Sequence, residues 1–356
     1  VPRTVITFSL FTSVQKLGQT EKTTELRILN GMRVISILIV IFGYSFFQMH
    51  SKFPSVFVSF GDLAVDTFLA LSGLVLSYRL MQVNTKTPLN MPLLILHRYL
   101  RLIPAFAVMI AFFGHVLPLL GSGPLWPAVV APEVVACRQN WWLNLLLLNN
   151  YFNMEQMCIV QSWYMPCDFH FFLVSLGVIW LVRSRSSPRL GLAYLALLLL
   201  ASILIPFFVT YFLELPATLL FNEDFLRNPR GSRMFQMSYI KSHMRASSYL
   251  VGLITGYILV KYLRPGTKVL SLVCSSSELL ISQRIEMLFF LDPKVANNPI
   301  FFTLSYDALE AAFYASLHRP VWATAISLLI LCCALGEVRK SCIFLIFEDD
   351  VKTNSN

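Results

Sequence analysis

The chain has 356 residues, of which 56% are hydrophobic and 13% charged, about half the charge of a soluble domain, which carries roughly 25%. Its apolar residues fall in runs rather than in periodic stripes, so the sequence is built for lipid as solvent. The formal charge of +9 does not imply nucleic acid, because no basic block interleaves with aromatics and the Lys and Arg residues sit beside the ends of apolar runs, where they orient membrane proteins.

Val1 to Asn30 mixes polar and apolar residues without the continuous apolar core of a signal peptide. The absent initiator Met is what a fragment or a processed chain would show. A membrane span needs about 20 apolar residues, and eight candidates follow in order: Met32–Met49, Leu63–Leu80, Leu102–Leu120, Trp163–Val182, Leu190–Leu213, Ser247–Tyr262, Val269–Leu291 and Val321–Leu335. Glu278, Arg284 and Glu286 interrupt the seventh, and the eighth is short unless it begins before Pro320. Trp141–Leu148 is too short to span and is expected in the interface. The fold class is therefore all-α, a polytopic transmembrane helix bundle of about eight spans.

Positive charge orients the bundle. Arg79, Lys86, Arg98 and Arg101 lie between the second and third spans, Arg183, Arg185 and Arg189 between the fourth and fifth, and Lys261, Arg264 and Lys268 after the sixth. The loops 50–62 and 121–161 hold only Lys52 and Arg138. The positive-inside rule then places both termini in the cytosol. Residues 214–246 object, with Arg227, Arg230, Arg233, Lys241 and Arg245 on the outer side, partly offset by Glu214, Glu223 and Asp224. Seven cysteines form neither a CxxC nor a Cys/His metal pattern, so no metal is expected. Cys137 and Cys158 share the outer loop, where either a disulfide or two reduced thiols fit.

Ionisable groups within apolar runs are costly, at least about 2.5 kcal/mol near a helix centre, and so are functional candidates. They are Arg33 in the first span, Asp66 near the outer end of the second, four residues after Asp62, and Asp168 and His170 in the fourth. Arg98 and Arg101 flank the cytosolic end of the third. Snorkelling or structural ion pairing explains each of these positions as well as chemistry does.

Several segments carry a family resemblance. Leu29–Arg33 with the run to Tyr44, Val65–Gly73 and His97–Pro104 resemble the first helix, the second-helix motif and the Arg-x-x-Arg-x-x-Pro motif of the membrane acyltransferase-3 superfamily. Trp141–Asn144 with Asn149 and Asn150, Ser162–Tyr164 with Cys167 and Asp168, Met244–Ala246 with Tyr249–Gly252, and Leu317–Pro320 are similar to its animal nose-resistant-to-fluoxetine subgroup. The resemblance runs in order from about residue 26 to 335. It implies a cytosolic segment 1–30, a membrane domain 31–335 and a polar tail 336–356.

It also implies transfer of an acyl group from acyl-CoA, as donor substrate and with no bound cofactor, to a hydroxyl of a lipid or other small acceptor. Such chemistry needs a base, cations for the donor's phosphates and donors for the oxyanion. By resemblance, Arg98 and Arg101 hold the donor, while Asp66, Ser72 and Gly73 line the chamber. Active relatives follow the first-helix Arg by eleven positions with a His, about 20° from a whole number of turns and about 16 Å higher. Here that position is Tyr44. A phenol, with an unperturbed pKa of about 10 against about 6.5 for imidazole, is a poor base near neutrality. Asn30 also stands where relatives often carry Asp, and His50 lies on another face, which leaves His170 as the replacement base to be tested. The expected partners are membrane lipids and acyl-CoA, with no nucleic acid, in the plasma membrane or an endomembrane such as the ER; oligomeric state is left open. A catalytically silent lipid-binding or lipid-transporting protein is the alternative, and an ion-coupled transporter using Arg33, Asp66 and Asp168 ranks below it, because no paired broken-helix repeat is visible.

Overall fold

The computed structural model describes residues 24–49, 56–83, 89–124, 126–183, 188–219, 225, 228–261 and 307–334, without the side chains of 24–28, 42–49, 56–60, 188, 333 and 334. Eight α-helices carry the described residues: α1 (Thr24–Met49), α2 (Val56–Gln82), α3 (Met91–Ala111), α4 (Trp126–Leu145), α5 (Tyr164–Arg183), α6 (Pro188–Leu213), α7 (Ser242–Lys261) and α8 (Ala308–Ala334). There is no strand among them. Five stretches are long and apolar enough to cross a membrane: Gly61–Gln82, Met91–Leu119, Val160–Arg183, Arg189–Leu213 and Ala308–Cys332. The molecule is a helical membrane bundle.

These five match the second, third, fourth, fifth and eighth expected spans, with shifted starts. α3 begins at Met91 rather than Leu102, because Asn90 caps it through Oδ1, which accepts from the Leu93 N–H at 3.3 Å, and Pro92 sits in the first turn. Arg98 and Arg101 therefore lie inside the helix, not before it. α8 starts well ahead of Pro320, where the Asp307 carboxylate accepts from the Leu309 N–H at 2.8 Å. The sixth expected span lies in α7, whose polar start at Ser242, His243 and Arg245 keeps it out of that set. Of the first, Leu29–Ile41 is described as a shorter apolar helix, and the seventh lies outside the described residues.

The loop expected before the fourth span instead contains α4, a 20-residue helix bent at Asn140, whose φ of −116° and ψ of 16° leave the helical region. Trp141 and Trp142 follow the bend exposed, a placement suited to the headgroup zone. A disulfide joins Cys137 on α4 to Cys158.

α2 and α7 make the most extensive contact in the bundle. Along this seam Gly73 faces the Tyr249 carbonyl, Gly252 the Ala70 carbonyl and Gly256 the Leu74 carbonyl, so closely that a Cβ at any of the three would overlap backbone. Small residues let two backbones approach in this way, and Gly252 with Gly256 has the four-residue spacing of membrane helix pairs. The order of the contacts makes α2 and α7 run in the same sense. α5 does too, since Arg183 near its end donates to the Leu80 and Val83 carbonyls at the end of α2, at 2.6 and 2.8 Å.

Candidate functional site

Two ionic clusters lie along α2. The first gathers Asp62 and Asp66, one turn apart, with Arg245 of α7 and Arg319 of α8. Arg245 reaches Asp62 at 2.6 Å and Asp66 at 3.4 Å, and Arg319 stands 3.7 Å from Asp66. Arg245 is fully buried, with its guanidinium 4.2 Å from the Tyr239 ring centroid and 4.6 Å from that of Trp163. It also donates to the Tyr239 carbonyl at 2.7 Å, and Arg319 donates to the Met244 carbonyl at 3.0 Å. Two acids balance two bases, and aromatic faces close the remaining sides. Asp66 was expected in the reaction chamber with Ser72 and Gly73; the structure puts it in this cluster, because its neighbours across the seam are the two arginines.

The second cluster centres on Ser72, six residues and about 9 Å further along α2. The Ser72 hydroxyl donates to Asp168 Oδ1 of α5 at 2.7 Å. Arg98 of α3 reaches the other carboxylate oxygen at 2.5 Å and the Ser72 hydroxyl at 3.3 Å, with its guanidinium 4.4 Å from the Phe172 ring centroid. Arg98 Nε is buried without a hydrogen-bond partner. The Tyr249 hydroxyl lies by Ser72 and Ser175, at a geometry that gives it no full hydrogen bond. Here one acid meets one base, with hydroxyls and a spare N–H donor between them.

Several expected site residues stand elsewhere. Arg101, three residues from Arg98, is exposed and does not join the cluster. Gly73 packs against α7, where a Cβ would overlap the Tyr249 carbonyl. His170 was expected beside Asp168, but two helical positions turn it about 200° away. Its Nδ1 is 3.0 Å from the Ser242 hydroxyl instead, and it lines a cavity of about 480 Å³ between α5, α6 and α7. Arg33 is half-buried on α1. The Tyr44 side chain lies outside the described residues. No group of three or more His, Cys, Asp or Glu able to hold a metal occurs among the described residues.

Sequence reasoning missed four participants. Arg245 and Arg319 stood in the noted segments Met244–Ala246 and Leu317–Pro320, but nothing local shows that they meet Asp62 and Asp66. Arg230, counted against the topology, forms an ion pair with Glu133 at 2.6 Å and donates to the Met157 carbonyl at 2.8 Å. Its charge is thus consumed locally and does not test the topology. The fourth is Tyr249, visible only as part of a resembling segment. The noted asparagines tie the α4 end together: Asn144 donates to the Cys158 carbonyl at 2.9 Å, Asn149 to the Ser162 hydroxyl at 2.9 Å and Asn150 to the Trp163 carbonyl at 2.8 Å.

The chain, a helical membrane bundle with two ionic clusters along α2, matches a known family. A family profile described as an acyltransferase domain matches residues 26–347, nearly the whole chain, and the chain belongs to that acyltransferase-3 family. It is similar to nose resistant to fluoxetine protein 6 of Caenorhabditis elegans, at 24% identity over 287 residues that cover 72% of this chain and 34% of the relative. The chain thus spans about a third of the length of that curated relative. No solved structure matches it.

Proposed function

We propose that this chain is a membrane acyltransferase that moves an acyl group from acyl-CoA to a hydroxyl of a lipid or other small acceptor, with the Ser72–Arg98–Asp168 cluster at its centre. The observation that carries the proposal is the Asp168 carboxylate, held by Ser72 and Arg98 and flanked by an unpartnered guanidinium N–H. Asp168 takes the proton of the acceptor hydroxyl as its oxygen attacks the thioester carbonyl. The free N–H of Arg98 faces the charge that develops on the carbonyl oxygen, the place where an electrostatic donor contributes most. The C–S bond then breaks, and the thiolate leaves with the proton returned from Asp168. The exposed Arg101 meets donor phosphate, to which a guanidinium fork is suited.

Eight spans with both termini cytosolic, and residence in the plasma membrane or the ER, belong to the same reading. The Cys137–Cys158 disulfide supports an oxidising compartment on the α4 side. The second reading, a silent lipid-binding or lipid-transporting protein, is favoured by Tyr44 at the first-helix position where active relatives carry His.

The deciding experiment is an acyl-CoA transfer and hydrolysis assay on the purified chain, run beside Tyr44→His and Tyr44→Phe. On the enzyme reading the parent turns over with Asp168 as base and Tyr44→Phe matches it, whereas turnover that appears only in Tyr44→His, by up to about 10²–10⁴-fold, would return the base to the first helix. Acyl-CoA binding with no turnover in any of the three supports the silent protein instead.

A further inference from the structure

Lys241 is a buried cation with no carboxylate against it among the described residues. It is 9% exposed and rests its ammonium 4.8 Å from the centroid of the Tyr151 ring. The other cations of comparable burial, Arg230, Arg245 and Arg319, all have carboxylates. A buried charge without a partner is unfavourable by several kcal/mol, so an arrangement that keeps one favours an anion from outside the chain.

Tyr151 joins Lys241 to the cavity between α5, α6 and α7. Its hydroxyl is 3.1 Å from His243 Nδ1, and its ring lies 5.9 Å from both the His170 and the His243 rings. Tyr151, His170, Ser242 and His243 form the polar end of the cavity lining, and Lys241 stands behind it against the Tyr151 ring. The rest of the cavity is apolar, walled by side chains such as Val174, Leu198, Ile205 and Leu250. Its volume of about 480 Å³ is in the range of small-molecule sites, roughly 300–1,000 Å³. Val174 and Ile205 are also exposed on the bundle surface, so the chamber opens toward the region that lipid fills. Burial and the neighbouring Lys241 hold the His243 pKa below the ordinary imidazole value, and burial lowers that of Lys241 as well, so an anion between them would favour the charged form of each.

We propose that the α5–α6–α7 cavity binds a single-chain fatty acid, its alkyl chain along the apolar walls and its carboxylate between Lys241, Tyr151 and His243. One apolar chamber with one polar end matches one chain with one small head. This site is separate from the Ser72–Arg98–Asp168 cluster, with Tyr249 as the wall between them, and it does not depend on acyl transfer.

The test uses the full chain, purified in detergent, and a photoreactive alkynyl palmitate whose attachment sites are mapped by mass spectrometry. Label is expected on α5 and α6 near Val174, Ala201 and Ile205, and oleate should displace it while oleyl alcohol, with the same tail and no charge, does so at least about tenfold less well. Lys241→Met should weaken oleate competition by about tenfold, the size of one charge-assisted hydrogen bond, and Lys241→Arg should retain it. Ala201→Trp, which fills the chamber without touching Lys241, should abolish labelling; helix content and monodispersity of each variant show that it has folded. Equal competition by the alcohol, undiminished competition in Lys241→Met, or label confined to other helices overturns the proposal. Competition by a diacyl phosphatidate as strong as that by oleate also overturns it, because the occupant would then be a bilayer phospholipid.

Discussion

The two ionic clusters on α2 are built from the same residue types and do different work. At Asp62 and Asp66 two acids meet two arginines from α7 and α8, with Trp163 and Tyr239 stacked over the guanidinium of Arg245. Around Ser72, one acid meets one arginine, and a hydroxyl is shared between them. In the first, the carboxylates and guanidiniums are paired with one another. The second contains two hydroxyls, those of Ser72 and Tyr249, whereas a guanidinium Nε without a hydrogen bond occurs in both, on Arg98 and on Arg319. Buried charge in a membrane protein is therefore not one signal: balanced charge joins helices, and charge balanced only through hydroxyls is open to chemistry.

That contrast can be broken at its strongest point. Arg245→Met should leave Asp62 without its partner and Asp66 with only the longer contact to Arg319. The expected loss is about 3–5 kcal/mol of stability, read from unfolding in detergent; a loss under about 1 kcal/mol would remove the structural reading of this cluster. Asp168→Asn keeps the shape and a hydrogen-bonding oxygen at the second cluster. It should lower transfer by about 10²–10⁴-fold, equivalent to roughly 3–5 kcal/mol of barrier, and cost less stability than Arg245→Met, because this pair is less buried and the amide oxygen still accepts from Arg98. If Asp168→Asn instead destabilises as much as Arg245→Met and leaves turnover alone, the two clusters are of one kind.

Smaller effects sharpen the frame that holds the clusters. Replacing Cys137 and Cys158 with Ser should cost about 3 kcal/mol, as expected for a loop of this size, and in the parent both thiols should label with alkylating reagent only after reduction. Gly252→Ala places a methyl against the Ala70 carbonyl and should cost about 1–3 kcal/mol by forcing α2 and α7 apart. Smallest is Arg101→Ala, whose side chain is exposed. It should weaken acyl-CoA binding only a few-fold and flatten its salt dependence, leaving stability unchanged. A salt dependence that persists would place donor recognition elsewhere.

The helical membrane character was legible because apolar runs near the membrane thickness leave few alternatives. Element starts were less so. Charges at His97, Arg98 and Arg101 made the first three turns of α3 resemble a loop, and only the partner Asp168, seventy residues away on another helix, explains why Arg98 can lie inside. α4 was hidden for a related reason: Pro127, Pro132 and a polar stretch at Arg138–Asn140 lower its hydropathy, while the asparagine ties and the disulfide that hold it are tertiary. Asp168, Arg98 and Ser72 were all named from sequence, but their meeting was not, since spacing along the chain says nothing of which helices adjoin. The separation of His170 from Asp168 was readable from helical geometry alone. The Gly252–Gly256 spacing was readable too, and it would have marked α7 as a central helix despite its polar start.

The glycine seam has a mechanical consequence. With no side chain between their backbones along Gly73, Gly252 and Gly256, α2 and α7 have nothing to slide on or repack, so they behave as a single strut. Both ionic clusters and one wall of the lipid-sized cavity are mounted on that strut. Any breathing that admits or releases a ligand must then come from the parts that lean on it. α6, most of whose surface is uncovered by protein and whose Leu198, Ala201 and Ile205 wall the cavity, is one such part.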